Sequence, residues 1–146
     1  MKSELKKANR EDFEEIAKIY SEEFSKTPYN EPWTLEKAIK KIELFSKYCD
    51  IWKIISDNKT VGFIVINQNQ WCPGEIIFGE EMAIQKEYQG KGIGTDTFKK
   101  IFQKYAKMGF KTYMGITNKN SRASNFYEKL NVKRSQDNFI IEKELK

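Results

Sequence analysis

The sequence predicts an α/β sandwich: a mixed central sheet, antiparallel through its N-terminal strands and parallel toward its C-terminal end, with helices on both faces. Three observations lead there. "IWKIIS" and "TVGFIVIN" are β-branched and aromatic runs separated by the turn residues "DNK", which predicts an antiparallel hairpin from about Ile51 to Asn67. The second half alternates strand, helix, strand, helix, strand, and a long helix between two strands of one sheet requires a parallel pair. At 146 residues, with no internal repeat, low-complexity tract or linker, the chain reads as a single domain over 1–146.

The elements follow in order. A short strand over Glu4 to Ala8 precedes "NREDFEEIAKIYSEEF", which sets Phe13, Ile16, Ile19, Tyr20 and Phe24 on one helical face with Asn9 or its neighbours available as N-cap. "KTPYNEPW" holds two prolines and two aromatics and cannot be regular. In "TLEKAIKKIELF", Leu35, Ala38, Ile39, Ile42 and Phe45 recur at helical spacing behind a capping Thr34, and the helix ends near Ser46. Past the hairpin, "NQNQWCPG" is a loop and "EIIFGEEMAI" a strand whose Gly79 marks a bulge or a close backbone approach. Ile93, Phe98, Ile101, Phe102, Tyr105 and Met108 then form a long amphipathic helix closed by Gly109. "FKTYMGIT" is a strand, "SRASNFYEKL" a shorter helix and "NFIIEKEL" a final strand.

Composition narrows the chemistry. Hydrophobic residues make up 39% and aromatics 14%, enough for a packed interior. The net charge of +5 is scattered along "KKIELFSK" and "KKIFQKYAK", the pattern of solvated helix faces, and lacks the clustered basic stripe with interleaved aromatics of a nucleic-acid binder. No histidine occurs, which removes imidazole metal sites and Ser-His or Cys-His nucleophiles, so no metal is expected. Cys49 and Cys72 make no disulfide framework and fit a reducing cytoplasm. "MKSELKKANR" has no apolar signal region, and no run approaches the ~18 apolar residues of a membrane span.

The most informative stretch is "YQGKGIGTD", with glycine at 90, 92 and 94 just before the long helix. A GxGxxG fingerprint fails because Thr95 or Thr97 stands where its last glycine belongs, and a Walker A loop fails at Gln85 and at Gly92. The physics of those motifs persists: a glycine turn between strand and helix exposes successive N–H groups at the positive end of the helix dipole, and Lys91 adds a charge. An anion cradle and a plain turn with positive φ angles both satisfy that pattern.

Read as Gln89-x-x-Gly92-x-Gly94, the loop resembles the Gln/Arg-x-x-Gly-x-Gly/Ala pattern of the GNAT superfamily of acetyltransferases. A second motif resembles the same superfamily: in "NSRASNFYEKLNV", Asn120, Ala123, Phe126, Tyr127, Glu128, Lys129 and Leu130 match N-x-x-A-x-x-(aromatic or Leu)-Y-E-K. The motif resemblance covers roughly Phe78 to Val132. One departure is Asn131-Val132 where the family usually has Gly-Phe; asparagine is the next-best residue for a left-handed cap.

The resemblance implies a GNAT-like α/β/α sandwich whose parallel pair splays at the cofactor site, and an acetyl-CoA dependent N-acetyltransferase. Acetyl-CoA would lie against the backbone of Met82, Ala83 and Ile84 and the loop Gln89, Gly90, Lys91, Gly92, Ile93, Gly94 and Thr95, with Asn120 bonding the coenzyme arm or capping its helix. Tyr127 stands where the family places a general acid toward the coenzyme sulfur. Glu80 and Glu81 are candidate bases for the amine; strand alternation lets one face the cleft, and Glu80, sharing parity with Met82 and Ile84, is preferred unless a bulge shifts the register. Tyr29, Glu31 and Trp33, with Trp71 from the later loop, are candidate walls for a small-molecule or protein amine. Another acyl-CoA or acceptor, or a coenzyme-binding regulatory module without turnover, remains an alternative, and the chain is expected to act as a monomer or homodimer.

Overall fold

The computed structural model describes residues 2–146. A five-stranded sheet in the order β1 to β5 is built from β1 (Glu4–Lys7), β2 (Asp50–Ser56), β3 (Lys59–Asn67), β4 (Ile76–Ile84) and β5 (Thr112–Gly115). The first three pairings are antiparallel and β4–β5 is parallel, as the order of elements requires. Helices α1 (Phe13–Phe24) and α2 (Leu35–Ser46) cover one face, α3 (Ile93–Lys107) and α4 (Ala123–Lys129) the other.

Central β3 explains its own composition. Its residues Val61 to Asn67 are all buried, with Phe63 and Val65 against Tyr20, Ala38 and Ile42, and Ile64 and Ile66 against Phe98 and Ile101. A strand covered on both faces needs apolar residues at every position rather than at alternate ones. The helix ends carry the expected caps. Thr34 Oγ1 accepts from the Lys37 amide at 3.2 Å, and Asn9 forms a capping box with Asp12 on a short 3-10 turn (Arg10–Asp12) that runs into α1. Gly109 follows α3 at φ +99°, and Asn131 follows α4 at φ +59°. There the Asn131 amide donates to the Glu128 carbonyl and the Val132 amide to the Tyr127 carbonyl, the paired bonds of a Schellman cap, so asparagine preserves the turn.

Two features position the site. The parallel ladder covers only Ile76–Gly79 against Thr112–Gly115, while β4 continues to Ile84 with β3 still paired on its other side. The β4–β5 pair is therefore open beyond Gly79 and Gly115. A β-bulge also falls at that level: Val65 pairs with Glu81 and Ile66 with Gly79, which leaves Glu80 as the extra residue.

The final strand expected over "NFIIEKEL" does not form. Residues 133–146 are exposed, with Phe139 87%, Ile141 82% and Leu145 92% accessible, and the sheet ends at β5. A β-branched pattern states only that a segment suits a pleated, half-buried surface; without a ladder partner it stays extended coil. Among the described residues, no helix is long and apolar enough to cross a membrane, and no cluster of Cys, Asp and Glu is arranged to hold a metal ion.

Candidate active site

The loop from β4 to α3 is pinned at its start and open at its end. The Gln85 amide donates to the Val61 carbonyl at 2.8 Å, and a 3-10 turn over Lys86–Tyr88 follows. The Gln89 side chain donates to the Ile84 carbonyl at 2.7 Å and to Glu23 Oε1 at 3.1 Å, tying the loop to the end of β4 and to α1. Gly90 and Gly92 adopt φ +73° and +82°, a backbone that side chains resist. Ile93, 1% exposed, anchors the first turn of α3 against Ile54 and Val61. Among the described residues, no backbone carbonyl accepts from the amides of Gly90, Gly92, Ile93, Gly94 or Thr95. The first bond of the helix is Asp96 N–H to the Gly92 carbonyl, at 3.0 Å.

The charges around these amides are arranged for an anion. Asp96, the acidic residue of the first turn, is engaged by the Ser3 amide at 2.7 Å, the Ser3 hydroxyl at 3.0 Å and Lys100 at 2.9 Å. Partial burial would raise its pKa, but those bonds hold it below the ordinary value, so its charge is answered on the β1 side. Lys91 Nζ lies over the Tyr88 ring, 5.5 Å from its centroid. Arg122, from the segment before α4, brings Nη1 within 3.1 Å of where a β-carbon on Gly90 would sit. The sequence reading missed Arg122 because it occupies an unspecified position of the second motif.

On β4 the bulge breaks the alternation on which the preference for Glu80 rested. The Tyr20 phenol of α1 neighbours Glu81 and the Asn67 side chain neighbours Glu80, and both carboxylates feel the Lys41 ammonium. Burial pushes Glu81 up to about 7, with Glu31 and Glu80 adding repulsion and the Tyr20 phenol and Lys41 opposing. Glu80 is raised as well, mainly by burial. Met82 packs toward α3 and Ala83 toward α1, while Ile84 joins Ile54 and Ile93.

Across the open edge stands Tyr127. Its ring meets Phe98 edge-on at 5.3 Å and Phe126 at 5.0 Å, and Tyr113 of β5 meets the same Phe98 edge-on at 5.6 Å. Burial pushes the Tyr127 pKa up to about 12, with the neighbouring Tyr113 opposing and Tyr29 adding to the rise. Asn120 is exposed and does not cap α4, whose N-cap is Arg122; its amide instead donates to Asn118 Oδ1 at 2.8 Å.

The loop between α1 and α2 closes over this region. Tyr29 stacks edge-on against Phe24 at 4.8 Å, and its phenol neighbours Ser121 and feels Glu81 and Glu31. Trp33 meets Tyr20 edge-on at 4.5 Å and donates from Nε1 to Glu31 at 3.2 Å. Tyr29, Glu31, Trp33, Glu81 and Tyr127 thus converge. Trp71 packs instead on Phe78 at 5.3 Å, 44% exposed, with no ring contact to that group among the described residues. A separate surface concavity of about 600 Å³, lined by Arg10, Phe13, Lys40 and Leu44, shares none of these residues.

An α/β sandwich whose mixed sheet opens between two parallel strands, with a glycine turn leading into the helix that follows, defines the class of fold. The chain belongs to the Acetyltransferase (GNAT) family, whose model matches residues 13–131. Solved structures agree in fold. A possible acetyltransferase from Clostridium difficile 630 superposes with a TM-score of 0.80 at 20% identity, covering 100% of both chains. An aminoglycoside N-acetyltransferase in complex with CoA gives 0.73 at 11% identity, covering 97% of this chain and 94% of its own. A ribosomal-protein-alanine N-acetyltransferase from Brucella melitensis biovar Abortus 2308 gives 0.75 at 11% identity, covering 97% and 99%. No curated protein sequence matches the chain.

Proposed function

We propose that this protein transfers an acetyl group from acetyl-CoA to a primary amine by direct attack in a ternary complex. The observation that carries the reading is the set of amides at Gly90, Gly92, Ile93, Gly94 and Thr95 that no backbone carbonyl of the described residues claims, beside a sheet that opens at Gly79 and near the half-buried Glu81 carboxyl and Tyr127 phenol. The donor set fits the coenzyme: the amides of Gly92, Ile93, Gly94 and Thr95 would hold its pyrophosphate, with Lys91 and Arg122 supplying positive charge. The free edge of Met82–Ile84 would hold the pantetheine arm, and the coenzyme supplies the activated thioester.

The protein's own groups then do three things. Glu81, ionised above about pH 7, takes the proton the amine gives up as its nitrogen bonds the acetyl carbon. Tyr127, which keeps its proton throughout the neutral range, delivers it to the sulfur as the carbon–sulfur bond breaks. Tyr29, Glu31 and Trp33 present aromatic faces and a negative charge to the acceptor, chemistry suited to a cationic amine.

Calorimetric titration with acetyl-CoA, using ATP and NAD as controls, tests the reading. Binding near 1 μM, about −8 kcal/mol, selective for the coenzyme is the expected result, followed by amine-dependent thiol release. Absence of acetyl-CoA binding overturns the assignment.

A further inference from the structure

Glu23 lies in the last turn of α1, where the helix dipole presents its negative end and a carboxylate is disfavoured. Its side chain is nonetheless well covered, 11% accessible, and both of its oxygens are engaged. Oε2 accepts from Lys26 Nζ at 3.1 Å, just past the helix end, and Oε1 accepts from Gln89 Nε2 at 3.1 Å. That second bond joins residues 66 positions apart and comes from the loop that leads into α3. The same Gln89 nitrogen donates to the Ile84 carbonyl at 2.7 Å, so its two hydrogens serve the end of β4 and the end of α1.

The loop between α1 and α2 is folded onto that last helical turn. The Tyr29 and Asn30 amides donate to the Lys26 carbonyl at 2.9 and 3.0 Å, and the Glu31 amide donates to the Phe24 carbonyl at 3.0 Å. The Tyr29 ring rests on Phe24 and the Trp33 ring on Tyr20. Tyr29, Glu31 and Trp33 therefore take their places from residues 20–26, and Glu23 stands among those residues. On the other side, Gln89 directly precedes Gly90, the first of the positive-φ glycines of its loop. The Gln89–Glu23 bond is thus a direct polar link between the glycine loop and the segment that carries the aromatic wall.

We infer that Glu23 is a positioning residue that couples the two substrate sites: through Gln89 it makes the order of the α1–α2 loop depend on the order of the glycine loop. A ligand that fixes the backbone at Gly90 fixes the Gln89 side chain beside it. The Glu23 carboxylate is held in turn, and with it the helical turn from which the Tyr29, Asn30 and Glu31 amides hang. The aromatic wall is then ordered before an amine arrives, so the amine binds more tightly without any change of shape. Linkage makes the effect reciprocal: an acceptor that orders this loop raises acetyl-CoA affinity by the same factor. The inference rests on the acetyl-transfer reading above, and Glu23 acts through Gln89 rather than on the reacting atoms.

Hydrogen exchange followed by mass spectrometry tests the coupling without an acceptor, in peptides covering residues 25–34 and 88–97, with and without saturating acetyl-CoA. In the wild type, acetyl-CoA is expected to slow exchange in both peptides, by about fivefold or more in 25–34. Glu23→Ala is expected to keep the protection of 88–97 and lose that of 25–34. Glu23→Gln, whose amide oxygen still accepts from Gln89, is expected to keep both. Gln89→Leu removes the same bond from the other side. At saturating acetyl-CoA it is expected to lose the protection of 25–34, which covers the case in which Glu23→Ala fails to fold. Wild-type protection of 25–34 in Glu23→Ala, its absence in the wild type while 88–97 is protected, or its loss in Glu23→Gln overturns the inference and leaves acetyl-CoA binding in place. No protection in either wild-type peptide, with no heat in the calorimeter, removes the acetyl-transfer reading and the inference with it.

Discussion

Glu81 holds its proton to about pH 7 because it lies under α1 among Tyr20, Glu31 and Glu80, with the Lys41 ammonium as its positive neighbour. A carboxyl poised near neutral pH suits the base role proposed above and is costly to the fold. The group's pKa is raised above its unfolded value, so the stability it contributes is complete below about pH 4.5 and is lost as pH rises through about 7. Glu81→Gln is therefore expected to abolish the rise of kcat/KM through an apparent pKa near 7 and to slow turnover on the order of 10²-fold or more. It should also make the protein more stable at pH 8, by on the order of 3.5 kcal/mol at about 1.4 kcal/mol per pKa unit, with the gap closing toward pH 4.5. Rate profiles and urea unfolding across pH check both halves; a Glu81→Gln enzyme that keeps the limb while Glu80→Gln loses it would return the role to Glu80. The assignment was beyond the sequence for a definite reason. Alternation along "GEEMAI" favours Glu80, and only the pairing of Val65 with Glu81 and Ile66 with Gly79 reveals the extra residue.

At the scale of elements, the loop from β4 into α3 joins two demands on glycine that can be separated by experiment. Gly92 sits at φ +82° in front of the helix, and Gly109 sits at φ +99° behind it with nothing within 4 Å of its missing β-carbon. Valine at either position is strained by about 1–3 kcal/mol. Both variants are expected to lose a similar amount of thermal stability, but only Gly92→Val is expected to lose acetyl-CoA affinity in calorimetry, because only there would a side chain stand among the open amides. Wild-type affinity in Gly92→Val removes the cradle. Most of this element was legible: Gly90, Gly92 and Gly94 before an apolar-periodic helix announce open amides, and the Thr34, Gly109 and Asn131 caps follow from local chemistry. What local chemistry could not supply was anything that needs a distant partner. Arg122 beside Gly90, Tyr113 over Gly79 and the unpaired course of "NFIIEKEL" all depend on tertiary neighbours rather than on pattern.

Across the whole molecule, Asp50 joins parts of the chain that meet nowhere else in sequence. It accepts from Lys7 on β1 at 2.6 Å, from Gln68 after β3 and from the buried Tyr105 of α3 at 2.6 Å, while Trp52 Nε1 donates to the same Tyr105 oxygen at 3.0 Å. The sheet that opens between β4 and β5 is thereby fastened to α3 at the β1–β2 side, with Tyr113 standing over Gly79 and Gly115 at the opening. Burial alone would raise the Asp50 pKa, yet the bonds from Lys7, Tyr105 and Gln68 outweigh it and hold the carboxyl below its ordinary value. A depressed carboxylate contributes stability that is present above its unfolded pKa of about 3.8 and lost as pH falls through the lower folded value. Asp50→Asn is expected to cost about 1.5–3 kcal/mol at neutral pH, the range for a hydrogen bond to a charged group. Because both forms are then uncharged at that position, the difference from wild type should shrink steadily below pH 4. Urea unfolding at pH 7, 4 and 2.5 decides the matter: a gap that stays constant into acid would mean that Asp50 acts through packing alone, and the sheet would have to be fastened to α3 by its apolar contacts.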